Sequence, residues 1–303
     1  LSFTLNRPPT TPDLSIGPDP AYTTDNLVAS ASGSMDPEGS GTITYAYEWF
    51  EDGMASSESS LSTFPAAATA KYHTYRVQVT PSDGTVDGTS TWAEIEVSNS
   101  APVVFGPVLS SSEPMIGDTF VCTATVTDAD TEDTPTTAYA WSDGSTGDSY
   151  TVTSANEIGE ELVCTATAND GDGGVTEASA TAVVTNSPPV VETVAISPDS
   201  GQVGDSLSCT ATASDADGDI PTLTYSWSTG GTGPTTVIEP SSDPGHLIVC
   251  TATAEDSHGA TGANTASATV VNTEPVMGPV TITPNPANNS DTLTCEASAT
   301  DAD

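Results

Sequence analysis

Paired aspartates are the residues of this chain best suited to chemistry. The sequence Asp-Ala-Asp occurs at residues 128–130, 215–217 and 301–303, each time six positions after a cysteine. Clustered loop carboxylates supply the oxygen ligands that Ca²⁺ prefers, about six to eight of them per ion. The alternative is a solvated turn in which each aspartate bonds its own backbone. Both interpretations place an acidic loop at a fixed distance after the cysteine.

The cysteine before each acidic loop lies in a stretch that alternates at period two. From Phe120 onward, the apolar set is Phe120, Cys122, Ala124 and Val126, and the intervening residues are Val121 and threonines. This alternation predicts a half-buried strand, with β-branched threonine on the exposed face. The acidic loop therefore begins where a strand leaves the core.

The strand and its loop belong to a module that recurs along the chain. An Asn-x-x-Pro phrase begins each copy, at Asn6, Asn99, Asn186 and Asn272, so the period is 93, 87 and 86 residues. Repeats outrank length as evidence of domain organisation. We predict the last strand of a preceding repeat at 1–5, repeat 1 at 6–98, repeat 2 at 99–185, repeat 3 at 186–271, and the first part of an incomplete repeat 4 at 272–303.

Each repeat contains six or seven short apolar runs separated by Gly, Pro, Asp or Asn, and no segment has a convincing helical period. Repeats 2 and 3 also share the order Cys-Trp-Cys, namely Cys122, Trp141, Cys164 and Cys209, Trp227, Cys250. Tryptophan beside a bridge between the second and sixth strands is typical of immunoglobulin-type sandwiches. The predicted fold is all-β, a tandem array of immunoglobulin-like β-sandwich domains of 86–93 residues.

Repeat 1 departs from this pattern. Ala29 and Val77 occupy its cysteine positions, and Asp36-Pro-Glu38-Gly replaces the paired aspartates. An apolar pair is therefore expected where the later repeats have a disulfide.

Charge excludes several classes of function. Three basic residues against 42 acidic ones give a formal net charge of −39, which repels nucleic acid and anionic membranes. No apolar run is long enough to span a bilayer. Cysteines at regular positions in an acidic, threonine-rich chain favour an oxidising, extracellular location.

Catalysis is also disfavoured. His73 lies in repeat 1, and His246 and His258 lie in repeat 3; none of them has a recurrent nucleophile or acid partner. An EF-hand is disfavoured because the twelfth position from Asp215 is Ser226, so no bidentate glutamate closes the loop. The recurrent aromatics could form a sugar-stacking platform, but their place beside the cysteine strands favours core packing; they are Tyr47, Trp49, Tyr139, Trp141, Tyr225 and Trp227.

The phrases TVTDAD, ASDADGD, AYAWSDGS and ANDGDGG, with the linkers NSAPV and NSPPV, resemble tandem immunoglobulin-like, PKD-like and cadherin-like repeats of long bacterial surface proteins. The resemblance implies disulfides Cys122–Cys164 and Cys209–Cys250, and a partner for Cys295 beyond Asp303. It also implies calcium sites, at most one per linker, and no other cofactor. The implied ligands are Asn99, Asp128 and Asp130; Asn186, Asp215 and Asp217; and Asn272, Asp301 and Asp303.

The leading functional hypothesis is structural: a segment of a long extracellular bacterial surface protein acting as stalk, adhesin shaft or filament. Its expected partners are neighbouring repeats and like chains in a filament, with an unidentified surface or matrix ligand. The alternative is a carbohydrate- or ligand-binding or spacer module of a secreted multidomain protein.

Overall fold

A computed structural model describes residues 5–39 and 41–303, and these residues form an almost entirely β structure. The described residues contain 25 strands and one 3₁₀ turn, Ala66–Ala68. The terminal strand predicted at 1–5 lies outside the described residues except for Leu5. By contacts the chain divides into two compact units, one comprising the chain up to Ser110 with 121–150 and 162–181, the other comprising 111–120, 151–161 and 182–303. The repeat boundaries stay a prediction.

Repeat 1 forms two sheets that enclose one apolar core. Its strands are β1 (Asp13–Gly17), β2 (Ala21–Tyr22), β3 (Leu27–Ser32), β4 (Thr44–Glu51), β5 (Met54–Ala55), β6 (Thr63–Phe64), β7 (Thr74–Ser82) and β8 (Thr91–Ser98). The sheet orders are β1-β3-β6 and β2-β8-β7-β4-β5. The core draws buried side chains from both sheets, as in a sandwich.

Repeat 2 repeats this arrangement with six strands. They are β9 (Val103–Leu109), β10 (Thr119–Thr127), β11 (Thr136–Trp141), β12 (Ser149–Thr151), β13 (Glu161–Asn169) and β14 (Val175–Val183). The hydrogen-bonded orders are β12-β10-β9 and β11-β13-β14. On β10, Phe120 and Cys122 are buried whereas Val121 is exposed, so the predicted alternation of faces is confirmed.

Repeat 3 has seven strands in two sheets. They are β15 (Val190–Ser197), β16 (Ser200–Gly201), β17 (Ser206–Ser214), β18 (Thr222–Trp227), β19 (Thr235–Val237), β20 (Leu247–Glu255) and β21 (Thr261–Val270), in the orders β15-β17-β19 and β16-β21-β20-β18. After residue 271 the strands are β22 (Val276–Met277), β23 (Thr281–Thr283), β24 (Thr294–Glu296) and β25 (Ala299–Thr300), paired β22-β25 and β23-β24.

Two disulfides join the sheets of the later repeats, as predicted. Cys122–Cys164 links β10 to β13, and Cys209–Cys250 links β17 to β20. In each repeat the core tryptophan lies directly opposite the second cysteine, Trp141 against Cys164 and Trp227 against Cys250. Together with the strand pairing, these bridges define immunoglobulin-like sandwiches. Cys295 is exposed and unbridged among the described residues, so its partner beyond Asp303 stays a prediction.

Repeat 1 has a buried apolar pair in place of the disulfide. Ala29 and Val77 are buried at the two cysteine positions. Beside them, Phe64 lies 5.2 Å from Trp49 and 5.2 Å from Tyr75, measured between ring centroids. Such tilted aromatic pairs add stabilisation beyond the burial of apolar area. Burial also raises the pKa of the Tyr75 hydroxyl to about 12.

We predict that the two disulfides carry much of the stability of repeats 2 and 3. They close loops of 42 and 41 residues, for which chain entropy gives about 4 kcal/mol each. Reduction with dithiothreitol should therefore accelerate amide hydrogen exchange in β13 and β20 while leaving β7 of repeat 1 unchanged. Equal acceleration in all three strands, measured by mass spectrometry, would contradict this assignment.

Candidate cation-binding junctions

Each candidate site lies at a junction, defined here as an Asn-x-x-Pro linker with the two acidic loops that it contacts. The first junction comprises residues 99–102, 128–133 and 169–174, and the second comprises 186–189, 215–219 and 255–260. The third comprises 272–275 and 301–303. The first lies within one compact unit, and the second and third lie within the other.

The second acidic residue of each pair holds the linker. Its carboxylate accepts a hydrogen bond from the backbone N–H of the residue that follows the linker asparagine. The contact recurs four times, as Arg7 to Glu38 at 3.1 Å, Ser100 to Asp130 at 2.7 Å, Ser187 to Asp217 at 2.6 Å and Thr273 to Asp303 at 3.0 Å. Because charge-assisted hydrogen bonds are stronger than neutral ones, we interpret this contact as a latch.

The first acidic residue of each pair has one engaged and one free oxygen. Its Oδ1 accepts the backbone N–H two residues later, at 2.9 Å in Asp36, 2.9 Å in Asp128 and 2.8 Å in Asp215. In all three copies its Oδ2 is buried and has no hydrogen-bond partner among the residues that the structure describes. A buried carboxylate oxygen without a partner is costly unless a cation or water satisfies it. The Asx turn and an available cation ligand therefore coexist in one side chain.

The linker asparagines donate to a carboxylate on the other acidic loop. The Nδ2–Oδ2 distance is 2.8 Å from Asn99 to Asp170 and 2.8 Å from Asn186 to Asp256. These asparagine hydrogen bonds are the main reason that the pKa of Asp170 and that of Asp256 lie below the ordinary aspartate value. Asn186 Oδ1 is buried and has no hydrogen-bond partner within the described part of the chain. The amide thus fixes the second carboxylate and leaves its own oxygen available.

The third junction is built from fewer contacts. Asn272 Nδ2 donates to the Thr273 carbonyl oxygen at 2.8 Å, and the backbone carbonyl oxygen of Asn272 accepts from Gln202 Nε2 at 2.8 Å. Asp303 Oδ1 is buried without a partner, whereas Asp301 is exposed.

At the first junction, the carboxylates that cluster together are only partly those predicted as calcium ligands. Oxygens of Asp128, Asp133 and Asp170 lie within 4.8 Å of one another. Asp130 instead accepts from Ser100 and, at 2.6 Å, from Thr23 Oγ1. Asp133 was absent from the predicted set, and its one sequence signal is its place in the acidic run after Asp128.

A lysine from repeat 1 enters the first junction. Lys71 Nζ donates to Asp133 Oδ1 at 2.5 Å, to Asn99 Oδ1 at 3.2 Å and to Asp172 Oδ2. The side chains of Lys71 and Asp133 are only 15% and 7% exposed, so this ion pair is shielded from water. Burial acts to lower the pKa of the Lys71 ammonium, but the hydrogen bonds and charges of Asp133 and Asp172 raise it overall. The ammonium is therefore a permanent cation.

Among the described residues, no lysine or arginine enters the second junction. In repeat 2 the position equivalent to Lys71 is occupied by Ile158, because Lys71 lies six residues before Val77 and Ile158 lies six residues before Cys164. Asp219 instead accepts from Ser257 Oγ at 2.7 Å and lies 3.4 Å from His258 Nδ1. Of the two fully described junctions, only the first therefore contains a lysine ammonium.

Two glycines allow the linkers to lie against the strands that follow the acidic loops. A Cβ at Gly174 would lie 2.9 Å from Ala101 Cα, and one at Gly262 would lie 1.9 Å from the Pro189 carbonyl oxygen. Only glycine permits such close backbone approach.

No family model matches the chain, and no curated protein matches it. Similar solved structures include Sidekick-1 immunoglobulin domains 1–5, at 16% identity and TM-score 0.30, covering 96% of this chain and 64% of that one. Three N-terminal domains of the outer capsid protein Hoc of bacteriophage RB49 share 15% identity, TM-score 0.28, covering 86% and 98%. Human CDH23 EC21-23 shares 14% identity, TM-score 0.32, covering 88% and 97%.

The chain thus spans slightly less than two thirds of the Sidekick-1 structure. Among the described residues, no helix has the length and apolar character needed to cross a membrane.

We predict that Asn186→Ala destabilises the chain in a pH-dependent manner. Asp256 has a lowered pKa, so its contribution is present above the unfolded pKa of about 3.9 and is lost as pH falls through the folded value. Without the Asn186 amide, stability should drop at pH 7, and the difference from wild type should shrink at about pH 2.5. Denaturant unfolding of wild type and variant at the two pH values, in the presence of a chelator, measures both differences in the free energy of unfolding.

Asn264→Ala is the matched control for this experiment. Asn264 Nδ2 donates to the Val191 carbonyl oxygen, which does not titrate. Its effect should be independent of pH, and equal pH profiles for the two variants would refute the carboxylate explanation.

A second prediction concerns Lys71→Met, which keeps the apolar stem and removes the ammonium. Asp133 would remain buried without its counter-ion, a costly arrangement. We expect the melting temperature to fall by several degrees and amide exchange at residues 99–101 and 128–133 to accelerate. Arg7→Met is the control, because Arg7 pairs with Glu38 at 3.4 Å while 67% exposed. Exposed pairs contribute at most about 1 kcal/mol, so a comparable loss in both variants would count against a special role for Lys71.

Proposed function

We propose that this chain is a structural, non-catalytic segment of a long extracellular bacterial surface protein, a shaft or stalk of tandem immunoglobulin-like domains stiffened at its junctions by cations. The observation that carries the proposal is the recurrent buried, unpartnered Oδ2 of the first acidic residue in three successive repeats. A solvated turn leaves no reason for the same oxygen to be buried each time.

The charge balance supports a cation at these positions. With three basic residues for 42 acidic ones, salt bridges cannot neutralise the junctions. Calcium suits such sites because it accepts carboxylate and amide oxygens in flexible geometry. Asp128, Asp133 and Asp170 would hold it at the first junction, and Asp215, Asp256 and Asn186 would hold it at the second.

Calcium would have a structural role here, because it would compensate the negative charge of the acidic loops. The latches keep each linker on its acidic loop, and Asn186 keeps Asp256 in place through a hydrogen bond of 2.8 Å. These contacts prearrange the oxygens, so little ordering is required when a cation binds. Bound calcium would favour one linker conformation and reduce repulsion between neighbouring loops.

An extracellular location agrees with the two disulfides, which persist in oxidising compartments. Like chains associated in a filament are the proposed partners, and proline in every linker limits bending. The alternative to a shaft is a binding role, which is favoured by one feature of repeat 1, the exposed side chain of Trp92 on β8.

The test of this function is calcium titration of the full chain. We expect calcium to raise the melting temperature and to narrow the distribution of dimensions in small-angle X-ray scattering, relative to chelator. Asp215→Asn should abolish calcium binding at the second junction, measured by calorimetry, because it retains an oxygen for the Asx turn but replaces the free oxygen by an amide nitrogen.

Asp243→Asn removes the same charge from an exposed position outside the junctions and should bind calcium like wild type. If scattering and melting are identical in calcium and in chelator, the loops are solvated turns and the cation-stiffened shaft is wrong.

A further inference from the structure

The exposed face of the five-stranded sheet in repeat 1 has a composition found in no other described repeat. Three of the four tryptophans are buried in cores, whereas Trp92 on β8 is 56% exposed. Trp92 pairs in register with Gln78 on β7, and Gln78 pairs with Glu48 on β4. In the neighbouring row, Arg76 lies between Phe50 and Glu94. We call these six residues the aromatic face.

The corresponding positions of repeat 3 show that this composition is not required by the fold. Trp227 and Cys250 pair as Trp49 and Val77 do, so the registers of the two sheets can be aligned directly. Small residues occupy every equivalent position, namely Ser226, Ser228, Val249, Thr251, Thr265 and Ser267. A sandwich of this type therefore folds with small residues on this sheet face. Folding alone does not explain the large side chains at the same positions of repeat 1.

Arg76 has an unusual environment for an arginine in so acidic a chain. Its guanidinium carbon lies 4.7 Å from the centroid of Phe50 and 5.7 Å from that of Trp92. Among the described residues it forms no ion pair, and its Nε is buried without a hydrogen-bond partner. Cation–π contact fixes the side chain, and donors of the guanidinium remain available to an external acceptor.

We propose that the aromatic face is a binding site for a neutral polysaccharide. An exposed indole on a flat sheet offers its π-face to the C–H face of a sugar ring. Sugar hydroxyls both donate and accept hydrogen bonds, and the face supplies donors from Arg76 and Gln78 and acceptors from Glu48 and Glu94. This matches a hydroxyl-rich chain lying along the sheet.

The negative charge of the chain argues against acidic polymers as ligands. The net charge of −39 repels acidic polysaccharides and nucleic acids. The aromatic face itself carries two glutamates and one arginine, so it offers no net attraction to an anion. This inference goes beyond the shaft role, because it gives one repeat of the shaft a ligand.

The test is affinity electrophoresis of the full chain through gels containing hydroxyethyl cellulose, laminarin or galactomannan, with polygalacturonate as the acidic probe. We expect at least one neutral polymer to retard the wild type. Trp92→Ala and Arg76→Gln should each weaken that affinity, the former by about tenfold or more. The same neutral polymer should shield Trp92 from acrylamide quenching.

Thr265→Ala, at the equivalent position of repeat 3, is the matched control and should bind like wild type. Melting temperatures establish that each variant is folded, and the quenching measurement needs no variant. Four results would each overturn the proposal: no retardation by any neutral polymer, unaltered retardation of Trp92→Ala, preferential binding of polygalacturonate, or binding only of a basic peptide such as oligolysine.

Discussion

The structure depends above all on how it accommodates 42 carboxylates with three basic side chains. Salt bridges can satisfy very few of these charges, so backbone N–H groups and asparagine amides serve instead. The second acidic residue of each pair accepts the N–H of the linker, and the first accepts an N–H of its own turn. Hydrogen bonds from neutral donors stabilise carboxylates without requiring a counter-ion. The repeated contacts between linkers and loops thus stabilise carboxylates where positive charge is scarce.

The repeats stabilise their small cores in two ways. Domains of fewer than 100 residues bury limited apolar surface, and the inward faces of β13 and β20 carry several alanines. Disulfides compensate in repeats 2 and 3. Repeat 1 instead packs Trp49, Phe64 and Tyr75 together around Val77. The same sandwich therefore tolerates either a disulfide or the apolar pair Ala29 and Val77 at one position.

In the two proposals above, the junctions and the aromatic face have different roles within a repeat. Loop carboxylates at the ends of strands would stiffen the linkers, whereas the exposed sheet face of repeat 1 would bind a ligand. The six residues of that face lie on β4, β7 and β8, outside the junctions. Lys71 adds a further distinction, since it compensates charge at the first junction through side-chain contacts that the second junction lacks. Tandem repeats of one fold can thus acquire different properties without a change of architecture.

The sequence by itself determined the elements and their faces. Alternation at period two identified which side of β10 and β17 is buried, and the order Cys-Trp-Cys led to both disulfide pairings, because these signals are local or follow a known strand arrangement. The Asx turns were also foreseeable, since an aspartate and the N–H two residues later are close in any such turn.

Tertiary structure alone decided which distant groups meet. Asp133 joins Asp128 and Asp170, and Lys71 reaches Asp172, 101 residues away. The place of Arg76 beside Trp92 depends equally on strand register between β7 and β8. The physical reason is that packing and strand register set the contacts between segments far apart in sequence. Composition and local spacing do not specify these contacts.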